Sequence, residues 1–241
     1  MTVVRAVCHI HSDWSDGKWS LEKLVKVFGR FGVQVLMMTE HERGFNESRW
    51  AKYRMACKKA STNRVQLIPG LEYSEKTNAI HVLVWGDIPF LGVEMDTGKL
   101  LRQVAKYGGV AVLAHPGSES ALKIFTNKWD KYLAGLEIWN RKADGLAVSS
   151  DAQKWFKDNG RNLLPFVGLD FHCPKQLWPL VMKFELEPPA TESNILSAIR
   201  QGRCFPTAWG LPLRYFTSGV GAIVAKYMEI TRKICLRRPM V

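Results

Sequence analysis

The sequence predicts an α/β fold in which β-α units surround a parallel sheet within one large domain. Short runs rich in Val, Ile and Leu alternate with longer amphipathic segments along the 241 residues. A chain of this length suits a single α/β domain, and a composition of 46% hydrophobic and 23% charged residues is typical of a protein with a substantial core. Disorder is therefore not expected.

Each predicted element has a local signal. Seven apolar runs are predicted as strands, at 3–9, 35–39, 65–70, 80–85, 110–114, 136–139 and 163–169. Helices are predicted at 20–31, 46–60, 98–107, 118–133, 151–158 and 191–201. Several of these open on Ser, Asn, Asp or Thr, which cap helices well. A further run at 181–186 stops before a Glu-Pro-Pro breaker and is predicted as an accessory strand.

The end of the chain is predicted to differ from the rest. Residues 1–216 are assigned to the main domain, and 217–241 to a basic helical tail with a helix at 220–235. The tail is expected to pack on the main domain or to extend from it. A membrane-surface helix and a partly disordered end are the alternatives.

Composition and charge narrow the class of protein. There is no apolar run long enough to span a bilayer and no signal peptide at the start, so a soluble, cytoplasmic protein is expected. Five cysteines without a C-x-x-C pair argue against a disulfide framework. The net charge of +12 favours phosphate-rich partners such as nucleotides or single-stranded nucleic acid. Because the basic residues are spread along the chain, a merely solvated surface is an equal alternative.

The six histidines are the central observation, because each lies near the carboxyl end of a predicted strand or just inside one. They are His9, His11, His41, His81, His115 and His172, and the carboxylates Asp16, Glu40, Glu72 and Asp170 lie beside them. A lone histidine of this kind is usually structural. The whole set instead indicates a shared metal site.

Strand geometry explains how these side chains would converge. Residues two apart on a strand point the same way, so His9 and His11 can face one ion, and Asp170 and His172 repeat this spacing. In a closed barrel the first and last strands are neighbours, so both pairs would meet on the carboxyl-end rim, where barrel enzymes place their chemistry. Alternation turns Cys8 away from the site, and Cys173 likewise, so both thiols are predicted to be structural.

Imidazole and carboxylate groups are ligands of Zn, Mn and Fe, and a carboxylate-rich cluster can hold more than one ion. Two ions that share a carboxylate can activate a bridging water and clamp a phosphoryl group during in-line attack. Hydrolysis of a phosphate ester is the chemistry that this donor set favours.

Five short motifs occur in a fixed order between His9 and His172. They are His9-Ile-His11-Ser-Asp-Trp-Ser-Asp16-Gly17, Thr39-Glu40-His41, Gly70-Leu-Glu72, Ala114-His115-Pro116 and Gly168-Leu-Asp170-Phe-His172. Together they resemble the motifs of the PHP (polymerase and histidinol phosphatase) phosphoesterases, the first of which reads HxHxxxSDG. The resemblance implies that residues 1–216 form a distorted seven-stranded (β/α)7 TIM-like barrel with three divalent Mn, Fe or Zn ions at its carboxyl-end rim.

The resemblance also assigns roles to individual residues. One ion would be held by His9, His11, Glu72 and Asp170, a second by Glu72, His81 and His115, and a third by Asp16, His41 and His172. Glu72 and Asp170 would serve catalysis, with a hydroxide that bridges the ions at Glu72 as the nucleophile. Arg43 and Arg141, each just beyond a predicted strand, are predicted to bind the ester or stabilise its leaving group.

Two positions depart from the family pattern. Glu40 replaces the usual Asp, and Phe171 replaces a usually small residue. Neither change removes a ligand, so a catalytically competent site is expected. Because the first motif carries Asp16 and not another histidine, it resembles the nucleotide and general phosphoesterase branch more than the histidinol phosphatase branch. Trp14 and Trp19 are predicted to lie near the site.

The sequence therefore predicts a metal-dependent phosphatase or phosphodiesterase acting on a nucleotide, a nucleic-acid end or another small phosphomonoester. One alternative is an amidohydrolase-type metal hydrolase, although the usual bridging lysine is replaced here by Glu72. The other is a basic nucleic-acid-binding module with structural metals. Activity is expected to fall below about pH 6, where ligand imidazoles begin to bind protons in competition with metal.

Overall fold

The computed structural model describes residues 2–116, 124–160 and 162–237. In chain order the strands are β1 Thr2–Ile10, β2 Val35–Met38, β3 Glu40–His41, β4 Gln66–Ile68, β5 Gly70–Ser74, β6 His81–Trp85, β7 Val110–Leu113, β8 Gly135–Asn140, β9 Leu164–Gly168, β10 Leu180–Leu186, β11 Cys204–Ala208 and β12 Leu211–Pro212. The α-helices are α1 Leu21–Arg30, α2 Glu47–Ala60, α3 Thr97–Lys106, α4 Arg141–Asp144, α5 Ser150–Asn159, α6 Glu192–Arg200, α7 Arg214–Thr217 and α8 Gly219–Arg237.

The predicted helices are confirmed where capping and an apolar face coincide. The Ser20 hydroxyl accepts a hydrogen bond from the Lys23 amide at the start of α1, and the Asn46 side chain does the same for Arg49 in α2. One face of α1 is buried, as its sequence predicts, through Leu21, Leu24, Val25 and Phe28. The helix predicted at 118–133 is not confirmed: residues 117–123 lie outside the described residues, and Asn127–Tyr132 forms a 3₁₀ helix.

The strands of the described residues form two six-stranded sheets. The first has the order β12-β11-β10-β1-β2-β4, and the second has the order β3-β5-β6-β7-β8-β9. The accessory strand is confirmed as β10, which pairs antiparallel with β1. The purely parallel sheet predicted from the sequence is wrong, because β6 also runs antiparallel to β5 and β7. Only six residues separate β5 from β6, which is too short for a parallel crossover.

A closed seven-stranded barrel is not confirmed, because the described strands form two sheets and no single closed one. Thr39 separates β2 from β3, and Pro69 separates β4 from β5. In each pair the first strand belongs to the first sheet and the second strand to the second sheet. Proline cannot donate the backbone hydrogen bond that a continuous strand would need at residue 69.

The two sheets meet at the end of β1. The Leu169 amide donates to the Cys8 carbonyl at 3.0 Å, the Phe171 amide donates to the His9 carbonyl at 3.0 Å, and the His11 amide donates to the Phe171 carbonyl at 2.9 Å. These bonds place the segment after β9 beside the end of β1. The two predicted ligand pairs therefore lie next to each other, as predicted, but a local bridge joins them and not the closure of a barrel.

The carboxyl-terminal helix α8 packs on the rest of the chain through one face. Ala225 and Glu229 are buried, and the Glu229 carboxylate accepts a hydrogen bond from the Leu146 amide at 2.8 Å. The division between residues 1–216 and 217–241 stays a prediction. Within the described ranges, no helix combines the length and the apolar character that crossing a membrane requires.

Candidate metal centre

Side chains that lie on six strands or just after them converge at one place in the fold. His9 lies near the end of β1, with His11 just after it, while His41 ends β3 and Glu72 lies within β5. His81 is the first residue of β6, not a residue near its end. Because β6 is antiparallel to β5, His81 pairs with Ser74 at the end of β5 and joins the same rim. The antiparallel direction of β6 thus places His81, which belongs to none of the five motifs, beside the other predicted ligands.

All nine predicted metal ligands lie within this cluster. Three sets of donor atoms lie within 4.8 Å of one another, namely His11, Asp16, His41 and His172; His9, His11 and Asp170; and His9, Glu72 and His115. His81 joins through Glu72, since its Nδ1 lies 2.7 Å from Glu72 Oε1. These sets differ from those implied by the resemblance: His11 joins the set of Asp16, His9 joins that of His115, Glu72 is absent from the set of Asp170, and His81 belongs to none of the three. The assignment of ligands to particular ions stays a prediction.

Glu72 is the centre of the cluster. Its Oε1 lies 2.7 Å from His81 Nδ1 and 3.0 Å from His115 Nε2. Its Oε2 lies 3.2 Å from His41 Nδ1, 3.3 Å from His9 Nε2 and 3.4 Å from His11 Nε2. Both oxygens are buried and each faces a different group of imidazoles. A carboxylate with one oxygen toward each group of imidazoles could bridge two cations.

The other two carboxylates occupy the sides of the cluster. Asp170 Oδ1 lies 3.8 Å from His9 Nε2 and 3.6 Å from His11 Nε2. Asp16 Oδ2 lies 3.1 Å from His172 Nε2 and 3.6 Å from His41 Nε2. Asp170 is buried, whereas the Asp16 side chain is half-exposed, so Asp16 marks the solvent side of the centre.

The backbone is locally distorted where it presents ligands. His9, His115 and Asp170 adopt positive φ angles of 61°, 24° and 49°. Such conformations cost non-glycine residues about 1 to 3 kcal/mol each and concentrate at functional sites. His9 is also the extra residue of a β-bulge, since Cys8 and Ile10 pair with the consecutive residues Met37 and Met38. Strand alternation alone therefore does not explain why the side chains of His9 and His11 point the same way, because the bulge at His9 interrupts that alternation.

Burial and charge together set the protonation of the ligands. Burial lowers the pKa of His11 well below its ordinary value and also lowers that of His41. Both rings are therefore neutral near pH 7, which is the state in which an imidazole can bind a metal ion. Burial opposes the charged form of His9, but the carboxylates of Glu137, Asp170 and Glu72 outweigh it and raise the pKa. Burial likewise disfavours ionised Glu72, yet the surrounding histidines hold its pKa well below the usual range.

The donor set fits divalent cations. Among the described residues, His9 Nε2 and both ring nitrogens of His11 are buried without a hydrogen-bond partner. A buried polar atom left in that condition costs about 1 to 3 kcal/mol, and a bound cation would satisfy these nitrogens. Imidazole nitrogen and carboxylate oxygen suit Zn, Mn or Fe. The number and identity of the ions stay predictions.

Glu137 belongs to the site, although its place in the sequence predicts only a residue of a strand. The His9 Nδ1 donates to Glu137 Oε1 at 3.0 Å, and Glu137 Oε2 accepts from the His115 amide at 3.0 Å. The Asn140 side chain donates to the same oxygen. A carboxylate within the apolar strand β8 was the available signal, because a buried charge requires partners.

Lys142 is a second residue that sequence reasoning missed. Its Nζ donates to Asp170 Oδ1 at 3.1 Å and lies 3.4 Å from His172 Nε2. The Asn140 side chain caps α4 by accepting from the amides of Lys142 and Ala143, which positions the lysine over the cluster. No motif or residue spacing in the sequence predicts that Lys142 approaches Asp170.

The two predicted arginines have different surroundings. Arg43 lines a cavity of about 450 Å³ beside Asp16, His41 and His81, and its guanidinium pairs with exposed Glu94 at 3.4 Å. The Arg141 guanidinium lies 5.4 Å from the Trp178 ring centroid and donates to the Lys175 carbonyl. The structure brings Arg43 to the centre, whereas no contact joins Arg141 to a predicted ligand in the described part of the chain.

The two departures from the family pattern have structural explanations. Glu40 is buried and accepts hydrogen bonds from Ser12, from Ser15 and from the Tyr53 hydroxyl, so its longer side chain ties down the loop that carries Asp16. Phe171 is fully buried against Trp19 and Phe28 and leaves the centre open.

The predicted positions of the two tryptophans and of Cys8 also have clear outcomes. Trp14 lines the same cavity as Asp16. Trp19 packs instead into the core against Phe171. The buried Cys8 thiol contacts the Met37 sulfur at 3.5 Å, consistent with its predicted structural role.

Comparisons with known proteins place the fold. Neither a protein-family model nor a curated protein matches the chain. A two-domain protein from Bacteroides vulgatus containing a predicted PHP-like metal-dependent phosphoesterase is similar with a TM-score of 0.64 and 19% identity, over 86% of this chain and 65% of that one. PsfC from Pseudomonas syringae is similar with a TM-score of 0.64 and 12% identity, over 96% and 99% of the two chains.

A metal-dependent phosphoesterase from Bifidobacterium adolescentis is a further neighbour, with a TM-score of 0.53 and 15% identity over 81% of this chain and 94% of that one. The present chain spans 65% of the length of the Bacteroides protein. At these identities the similarity concerns the fold, and it confirms the resemblance drawn from the five motifs. The chain has the α/β fold of the PHP-like metal-dependent phosphoesterases.

Proposed function

We propose that the protein is a metal-dependent hydrolase of phosphate esters. The observation that carries this proposal is the position of Glu72, whose two buried oxygens lie within 3.4 Å of nitrogens from five histidines. A carboxylate surrounded in this way is suited to bridge cations, and the fold is that of PHP-like phosphoesterases.

The chain's own residues divide the work of the site. His9, His11, Glu72 and Asp170 would hold one ion, Glu72, His81 and His115 a second, and Asp16, His41 and His172 a third. Bound divalent ions would lower the pKa of a water molecule and withdraw charge from the phosphate oxygens. Glu137 would hold His9 in the orientation that directs Nε2 toward the cluster.

Cationic side chains at the rim favour an anionic substrate. Lys142 lies over Asp170, and Arg43 and Arg49 line the cavity of about 450 Å³ next to Asp16 and His41. These charges would attract and orient phosphate oxygens. A cavity of this volume suits a phosphomonoester the size of a nucleotide, with the ester entering past half-exposed Asp16.

Hydrolysis with defined metals tests the proposal. Protein stripped with a chelator would be reloaded with Mn, Zn or Fe and assayed on nitrophenyl phosphate, bis-nitrophenyl phosphate, nucleoside monophosphates and short oligonucleotides. We expect metal-dependent phosphate release and a loss on the order of a hundredfold or more in Glu72→Gln, which keeps the size of the side chain but removes the charge. Asp158→Asn is the matched control, because Asp158 is exposed on α5, the helix that leads to the start of β9.

Other outcomes would replace the proposal. Cleavage of dihydropyrimidine-type amides without phosphate release would identify an amidohydrolase. Tight binding of DNA or RNA by the metal-loaded protein, with no ester hydrolysed, would identify a nucleic-acid-binding module.

A further inference from the structure

The helix α8 presents an apolar face to solvent. Val220, Ile223 and Tyr227 are 77%, 69% and 71% exposed, and Val224 and Ile230 are exposed beside them. These positions repeat every three or four residues, so they share one side of the helix. Of the sixteen large hydrophobic residues exposed in the described part of the chain, seven lie in this one helix. The apolar surface is therefore a continuous stripe, unlike the scattered exposed residues common in soluble proteins.

The opposite face of α8 fixes how the helix is turned. Ala225 and Glu229 are buried, and Glu229 accepts from the Leu146 amide at 2.8 Å. The Arg232 guanidinium binds the same carboxylate through two hydrogen bonds, of 2.6 and 2.7 Å. Because these contacts hold the polar face against the segment after α4, the stripe is directed outward by the packing of the helix.

Charge indicates what covers the stripe. Glu229 is the single acidic residue in the sequence of α8, and it is buried and paired. Lys226 is exposed and lies beside the stripe, one turn before Ile230, whereas Lys233 pairs with the Glu229 carboxylate at 3.6 Å. The surface that α8 offers is thus apolar with a basic edge, on a chain whose net charge is +12.

We propose that α8 binds in the plane of a membrane surface that contains anionic phospholipids. Apolar side chains would enter the boundary between headgroups and acyl chains, while Lys226 extends to the lipid phosphates. Tyr227 suits this interface because its ring is apolar and its hydroxyl is polar. A second copy of the chain would satisfy the apolar stripe but would bring two strongly positive molecules together, so the charge favours lipid.

Vesicle co-sedimentation tests this proposal on the full chain. Wild-type protein is expected to sediment with vesicles of equal parts phosphatidylcholine and phosphatidylglycerol, and to remain in solution with phosphatidylcholine alone. The double variant Ile223→Ser, Tyr227→Ser should bind the anionic vesicles at least about tenfold more weakly, because two exposed apolar side chains are lost. Met55→Ser is the matched control, since it removes an equally exposed apolar side chain from α2 and should leave binding unchanged.

Three results would overturn the proposal. The first is failure of the wild-type protein to bind anionic vesicles. The second is binding that survives in the double variant but disappears in 0.5 M salt, where the electrostatic screening length is on the order of 5 Å. That result would attribute binding to the basic surface as a whole. The third is a dimer in lipid-free sedimentation velocity that the double variant abolishes, which would assign the stripe to a second copy. Circular dichroism of the variants verifies that the fold is intact, as expected for exposed positions.

Discussion

At the scale of the residue, Glu137 determines which nitrogen His9 offers to the cluster. The hydrogen bond from His9 Nδ1 to Glu137 places the proton on that side of the ring and leaves Nε2 directed at Glu72 and Asp170. Glu137 also accepts from the His115 amide, so one carboxylate supports two predicted ligands. A residue that contacts no ion directly can therefore control how well the centre binds one.

Substitution of Glu137 by Gln tests this role. The amide cannot supply the negative charge that stabilises the His9 ring, and we expect metal affinity to fall by about 10- to 100-fold. Competition with a fluorescent chelator measures that affinity, while thermal unfolding in chelator reports the fold separately. Unchanged affinity in Glu137→Gln, alongside unchanged affinity in the Asp158→Asn control, would show that His9 is oriented by packing alone.

Asp144 gives the protein a predictable response to pH. Burial raises its pKa from 3.8 to about 7, and nearby Glu137 adds to the rise, whereas the hydrogen bond from the Asn140 amide opposes it. Since the folded state holds this proton more tightly than the unfolded chain, the stabilisation is complete below about pH 4 and is lost as the pH rises through 7.

Asp144→Asn removes this titration. As the pH is raised from 5 to 8, the free energy of unfolding of the variant should increase by roughly 1 to 3 kcal/mol relative to that of the wild-type protein. Urea unfolding in chelator at several pH values measures the difference. Parallel pH profiles for the two proteins would mean that Asp144 titrates as an ordinary exposed aspartate.

At the scale of the element, close approach of β8 and β9 depends on a glycine. A Cβ at Gly168 would collide with the Glu137 carboxylate and with the His9 side chain. The last motif thus carries a glycine next to its ligands because no side chain fits between these strands, and the sequence pattern alone does not give that reason.

Gly168→Ala is expected to destabilise the protein by about 1 to 3 kcal/mol and to weaken metal binding, because Glu137 must move away from His9. Gly98→Ala in α3 is the matched control. There the added methyl would contact only the ends of side chains, the nearest being Trp129 Nε1 at 3.3 Å, and alanine favours the helix. Denaturant unfolding and chelator competition would compare the two, and equal stability in both variants would contradict the collision.

At the scale of the whole molecule, bound metal should link the distant segments that form the site. Ions held by the folded chain stabilise it by about 2.7 kcal/mol at a hundred times the dissociation constant, which raises the unfolding temperature by roughly 5 to 10 °C for a chain of this length. Differential scanning fluorimetry with Mn or Zn after chelation should show this rise in the wild-type protein and in Asp158→Asn. The same rise in Glu72→Gln would mean that the metal binds elsewhere.

Much of the site could be predicted from the sequence, since eight of the nine proposed ligands belong to the short motifs, His81 lies near the start of a predicted strand, and all nine lie in one cluster. The chemistry of the donors, the motif order and the capped helices are local properties, and a linear pattern records them. The antiparallel course of β6 was not predicted: the strands predicted at 65–70 and 80–85 leave nine residues between them, and the structure shortens this connection to six by extending β5 to Ser74.

Tertiary structure decided what depends on residues far apart in the chain. The bulge at His9, the support of His9 by Glu137 across 128 positions, and the approach of Lys142 to Asp170 arise from how β1, β8 and β9 pack together. The separation into two sheets and the outward face of α8 have the same origin. Sequence by itself determined which groups were available, whereas only packing between distant segments determined their orientation, burial and partners.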